Sequence, residues 1–151
     1  MFKGVMFNRT RLQGLATYLL LGLGLLLSAQ LQAAEQEMGD WTVHYNALPS
    51  TFLTPEVALA NRIERSRYNG LLNIVVVDKD GKPQPVNMSG EGKSLIGTVR
   101  KLEFQTIREG DAIYYIAQYP HRNEDNVLFT IDISAPGHSG ELSFRHTFYV
   151  D

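Results

Sequence analysis

Along most of the chain, apolar and polar residues alternate with a period of two. Asp40 to Asn46 sets Trp41, Val43 and Tyr45 against Thr42, His44 and Asn46. That period marks a strand with one buried face. Leu71 to Asp78 (LLNIVVVD) is apolar on both faces and reads as a central strand. Pro85 to Gly90 is a weaker run. Pro83 and Pro85 cannot donate to a ladder, which places this run at a sheet edge. Val99 to Ile107, Ala112 to Tyr119, Val127 to Ser134 and Glu141 to Val150 complete the set. Turn clusters separate these runs about every ten residues, the spacing of a sandwich or barrel.

Between Ala47 and Gly70 the pattern changes. Thr54-Pro55-Glu56 is a helix start: a hydroxyl cap, proline at the first helical position and an acid in the first turn. Val57 to Arg62 has room for one or two turns. The segment is therefore a crossover with a short helix, packed through Leu53, Val57 and Ile63, and Asn69-Gly70 is a turn that launches the central strand. Asp78-Lys79-Asp80-Gly81 is a second turn, with glycine at the left-handed position.

Side-chain pattern also sets two hairpins. Pairing Ile133 with Leu142 places Ile131 opposite Phe144, Phe129 opposite His146 and Val127 opposite Phe148. One face is then apolar along its length. In the other hairpin Arg108 to Asp111 is the turn and Ile107 pairs with Ala112. Ile113, Tyr115 and Ala117 then share the core face with Phe104, while Tyr114 points the other way beside Gln105.

The amino-terminal part does not follow the strand pattern. Lys3, Arg9 and Arg11 precede the uncharged run Leu15 to Leu27 (LATYLLLGLGLLL), followed by Ser28-Ala-Gln-Leu-Gln-Ala-Ala34. A basic start, a short apolar stretch and small residues form a secretory leader. The apolar run falls short of the approximately 20 residues of a membrane span. Cleavage is expected after Ala33, with Ala34 as the alternative, leaving a single domain over 34–151 with a periplasmic address. A leader that stays uncleaved is instead an inner-membrane anchor. Three of the 14 basic residues and none of the 16 acidic ones lie in 1–33, so the remainder carries 11 against 16, a formal net of −5. That acidity argues against nucleic acid or an anionic lipid surface as partner. With no cysteine in the chain, disulfides, thiol chemistry and cysteine-ligated metals are excluded.

Motifs for chemistry are sparse. His44, His121, His138 and His146 show no zinc-protease spacing. Gly137-His-Ser-Gly140 lacks the spacing and flanks of a nucleophile elbow and reads as a hairpin turn. Asp78 to Gly81 lacks the later oxygen ligands of a calcium loop. No cofactor is implied. What remains is a candidate interaction surface: Arg65, Arg67 and Tyr68 from the densest basic cluster, Tyr114 from the outward face of its strand, and Tyr119, His121 and Arg122 at a strand end. Arginines of this kind receive anionic groups, and sandwich domains often bind through strand-end loops.

The stretches GDWTVHYNALPSTFLTPEVA (Gly39–Ala58), SRYNGLLNIVVVD (Ser66–Asp78), REGDAIYYIAQYP (Arg108–Pro120), NVLFTIDI (Asn126–Ile133) and TFYVD (Thr147–Asp151) resemble those of the domain of unknown function 4426 family, small exported gammaproteobacterial proteins. The resemblance implies one domain, a periplasmic address and a mostly β fold, and brings no activity, ligand or catalytic residue. The expected architecture is all-β: an immunoglobulin-like antiparallel sandwich of about seven strands with one short helix in the first crossover. The expected role is a non-catalytic binding or interaction module for an envelope protein or small ligand. Two alternatives stay open: an enzyme or metal-binding protein whose site assembles from separate strands, and an accessory factor that adds a strand to an envelope complex.

Overall fold

The computed structural model describes residues 34–150; the expected leader over 1–33 lies outside the described residues. Nine strands form two antiparallel sheets. In chain order they are β1 (Ala34–Met38), β2 (Trp41–Pro49), β3 (Asn69–Val77), β4 (Asn87–Ser94), β5 (Val99–Leu102), β6 (Phe104–Glu109), β7 (Ala112–Pro120), β8 (Asp125–Ala135) and β9 (His138–Phe148). The sheet orders are β1-β2-β3-β7-β6 and β5-β4-β8-β9. An immunoglobulin domain pairs its strands A-B-E-D in one sheet and C-F-G in the other. Here β2-β3-β7-β6 and β4-β8-β9 reproduce that order, so the sandwich is immunoglobulin-like, with β1 and β5 as added edges.

The core lies between the sheets. Val43, Leu72, Ile74, Ala117 and Tyr119 from one sheet meet Val127, Phe129, Ile131, Ile133 and Leu142 from the other. The alternation of the sequence is thus the inward set of each strand. Tyr115 belongs to this core and its hydroxyl is satisfied there: it accepts from the Val86 backbone N–H at 2.8 Å and donates to the Gln84 carbonyl at 3.3 Å. It thereby holds the β3–β4 connection against the sheet.

The segment between β2 and β3 lies on the outer face of the larger sheet. Thr54 caps helix α1 (Pro55–Ala60), its hydroxyl accepting from the Val57 N–H at 3.3 Å. Gln118 of β7 staples the segment down, accepting from the Glu64 N–H at 2.9 Å and donating to the Arg62 carbonyl at 3.3 Å. Gln105 of β6 donates to the Asn61 carbonyl at 2.8 Å. Leu48, Leu53, Ala58, Ile63, Leu71, Tyr114 and Ile116 are buried but stand apart from the inter-sheet core, as a second apolar layer.

Several expectations are corrected. Val99 to Ile107 is two strands in different sheets, split at Glu103. The run from Pro85 is an interior strand, β4, paired from Asn87 onward with β8; Pro83 and Pro85 lie before it. Asn69 and Gly70 belong to β3 itself, because Gly70 pairs with Tyr119. Both hairpins shift by two residues, giving Ile133 opposite Gly140 and Glu109 opposite Ala112. The connections are two-residue turns, Pro136-Gly137 and Gly110-Asp111, tighter than read from sequence, with glycine φ of 80° and 56°. A shift of two keeps every side chain on its expected face.

A candidate ligand site at the loop end of the sandwich

The carboxyl end of β7, the β4–β5 turn and the start of β8 converge at one end of the sandwich around a cleft of about 190 Å³. Its floor is aromatic. The Tyr119 and Phe148 rings stack at 5.8 Å between centroids, and His121 stacks on Phe148 at 4.5 Å and 12°. Two glycines make room for these rings. A Cβ at Gly70 would lie 2.3 Å from Phe148 Cε1, and one at Gly92 would lie 2.6 Å from Tyr119 Cε2.

The walls come from three loops. The His121 N–H donates to the Tyr68 carbonyl at 2.8 Å, which brings the end of the crossover beside the end of β7. The β4–β5 turn is tied internally and to β8: Ser94 N–H donates to the Thr98 carbonyl at 2.9 Å and Leu95 N–H to the Asn126 carbonyl at 3.0 Å. Ser94 Oγ also accepts from the Ile96 N–H at 3.2 Å. Ile96 and Arg100 line the cleft from this hairpin, and Arg122 and Asp125 line it from the β7–β8 loop.

Some polar positions of the cleft have no partner in the protein. His121 Nδ1 lies 2.8 Å from the Arg122 carbonyl, which can only accept, so Nδ1 carries the proton and Nε2 is left free. His121 is 7% exposed and Tyr119 is 1% exposed, yet both line the cleft. Among the described residues no ion pair includes Arg100, Arg122 or Asp125. Burial, reinforced by Asp125 and opposed by Arg100, holds the Tyr119 hydroxyl above its usual pKa. The Tyr119 hydroxyl is therefore a neutral donor. His146 packs edge-on against Phe148 at 4.6 Å, and burial, then the neighbouring His121, pushes its pKa down.

Of the seven candidate surface residues, four come together here: Tyr68, Tyr119, His121 and Arg122. Arg67 stands next to them, its guanidinium 5.7 Å over the Tyr68 ring. The other two do different work. Arg65 Nε donates to the Leu53 carbonyl at 2.7 Å, so it folds the crossover back on itself. Tyr114 does point away from the inter-sheet core, but it is 3% exposed because the crossover covers that face. It carries no accessible surface, and burial raises its pKa. Sequence reasoning missed Arg100, Asp125 and Ile96. The available signal was Leu95-Ile96-Gly97, two large apolar residues at a turn where polar residues are expected.

The remaining histidines are elsewhere. His44 lies 3.5 Å from Glu35, and His138 stacks on Trp41 at 5.0 Å beside Asp40. Among the described residues no three His, Asp or Glu converge to hold a metal ion. Nor is any described helix long and apolar enough to cross a membrane.

The family model described as Domain of unknown function (DUF4426) matches residues 35–151, which takes in every strand and loop of this site. The chain belongs to the DUF4426 family. It is similar to a DUF4426 family protein from Pseudomonas aeruginosa PAO1 known from a crystal structure, with 38% identity and a TM-score of 0.72; the match covers 79% of this chain and 96% of that one. Two structures of FetP from uropathogenic Escherichia coli strain F11 share the fold at 12% identity. A copper-bound variant matches with a TM-score of 0.57 over 76% of this chain and 93% of its own. The as-isolated protein matches with a TM-score of 0.58 over 77% and 93%. No curated protein matches the chain. Family membership thus brings a fold and leaves the role of the cleft to its chemistry.

Proposed function

We propose that this DUF4426 protein is an exported, periplasmic, non-catalytic binding module and that the loop-end cleft holds its ligand. The observation that carries the reading is the convergence of polar groups on one hollow. Arg100 and Arg122, in no ion pair among the described residues, line the hollow together with Tyr119 and His121 where three loops close the sandwich. A few convergent polar groups in a concave, partly apolar site are the ordinary make-up of a small-molecule pocket. No described side chain there is a nucleophile paired with a base, which supports binding over reaction. The leader pattern ending at Ala33 supports export, and the family match begins just past it, at residue 35. Copper is the ligand of a FetP variant, and with only the fold shared, no reason follows to assign it to this cleft.

Gentle purification from the periplasmic fraction followed by native mass spectrometry tests the reading. The expected spectrum shows a polypeptide beginning at Ala34 with a bound small molecule, and loss of that adduct in the Arg100→Ala/Arg122→Ala double variant. A bare polypeptide, or an adduct indifferent to both arginines, sinks the cleft as the ligand site. A polypeptide retaining residues 1–33 sinks the cleaved leader.

A further inference from the structure

We infer that the ligand of this cleft is an amphiphilic anion: one carboxylate or phosphate head on an apolar chain. The inference rests on the cleft being a ligand site and adds the class of ligand. The head follows from charge. Two arginines, Arg100 and Arg122, line the cleft against the single acidic residue Asp125, in a domain that is otherwise acidic, and neither is in an ion pair among the described residues. Guanidinium forks match carboxylate and phosphate oxygens, and such bonds are the strong ones. The Tyr119 hydroxyl adds a neutral donor from the buried floor. Asp125 sits at the start of β8 and limits the site to one anionic group rather than a polyanion.

The chain follows from the rim. Seven large apolar residues are exposed among the described residues, and three of them, Tyr68, Leu95 and Ile96, stand on the loops around the cleft. Leu95 and Ile96 are 71% and 73% exposed at the tip of a hairpin whose turn is held by hydrogen bonds within it and to β8. Ile96 and Tyr68 line the cleft itself, and Leu95 adjoins Ile96 at the hairpin tip. Water-exposed apolar area beside a cationic cleft is covered when a ligand carries both features in one molecule. A bilayer fits less well, because the net negative charge of residues 34–151 opposes approach to an anionic surface.

Calorimetric titration of the mature protein decides this with three probes: laurate, acetate and dodecyl maltoside below its micelle concentration. Laurate is expected to bind at least about tenfold more tightly than acetate, the gain from burying a few methylenes. Arg100→Ala/Arg122→Ala should lower laurate affinity by about tenfold or more, with Arg100→Lys/Arg122→Lys recovering part of it. Leu95→Ser/Ile96→Ser should bring laurate to the level of acetate. Thermal melts of each variant check that the fold is intact. Equal binding of acetate and laurate overturns the apolar chain; equal binding of dodecyl maltoside overturns the anionic head. Sedimentation with phosphatidylglycerol vesicles without binding of free laurate assigns the rim to a membrane surface and overturns the proposal. If no probe binds while the purified protein still carries an arginine-dependent adduct, the ligand class is wrong and the binding reading stands.

Discussion

The two ends of the sandwich treat charge in opposite ways. At the end formed by the β1–β2, β3–β4 and β8–β9 connections, Asp40 lies 3.0 Å from Lys79 Nζ and 3.9 Å from His138 Nε2, and His138 in turn stacks on Trp41. The hydrogen bond and charge of Lys79 hold the Asp40 carboxyl below the usual range. At the other end Arg100, Arg122 and Asp125 line one cleft and form no ion pair among the described residues. A loop end closed only for stability resembles the first. The second gathers charges around the Tyr119 and His121 side chains and leaves them unpaired, which is the feature the proposed binding role rests on.

The largest effect that sharpens this contrast comes from Gly70→Ala. Its methyl has no space beside Phe148, so the ring that supports both Tyr119 and His121 must move. A loss of about 1–3 kcal/mol is expected from overpacking, read as a lower urea midpoint. Gly110→Ala, at a turn with open space around it, should lose less despite its positive φ. Equal losses would mean that the aromatic floor gives way freely.

Next in size is a pH effect confined to the cleft end. His146 has a native pKa below its usual 6.5, so the unfolded chain takes up the proton first as the pH drops. Its contribution to stability is complete above pH 6.5 and declines as the pH falls from there through the lowered native value. Urea titrations at pH 7.5 and pH 5.0 should show that decline, and His146→Gln should reduce it. An unchanged pH dependence in the variant would move the titration to another group. The smallest effect is at the opposite end. Lys79→Met should raise the Asp40 pKa toward its usual 3.8, followed by NMR, with little change in melting temperature because both groups are exposed. Arg122→Ala should also leave the melting temperature nearly unchanged, since the guanidinium has no protein partner to lose. A marked drop for Arg122→Ala would break the contrast between the ends.

Much of the fold was legible because alternation reports which way a side chain faces. Trp41 and Val43, Ile113 and Tyr115, and Ile131 and Leu142 all occupy the faces read from sequence. Alternation says nothing about which sheet receives a strand. Leu102 and Phe104 both point inward across the switch at Glu103, so the period continues unbroken through it. Nor does it predict cover on the second face: Tyr114 was read correctly as outward, and only the position of the crossover shows that outward is also buried. β1 went unread because its residues, AEQEM, are mostly polar and it forms by pairing with β2 at an edge. Within the site, the strand-end residues Tyr119, His121 and Arg122 were legible from their place after an apolar run. Arg100 and Asp125 were not, since nothing in their spacing links them before β5 and β8 are brought side by side with β4 between.

The switch at Glu103 has a mechanical consequence. A single residue separates the last position of β5 in one sheet from the first of β6 in the other. A longer connection would contain slack that lets one layer slide over the other under load. This one has almost none, so shear between the layers would pull directly on the peptide that joins them. In a chain without cysteine, the backbone itself supplies the short crosslink. Because Arg100 lies only three residues before that link, the cleft wall stands close to the place where the two layers are least able to shift.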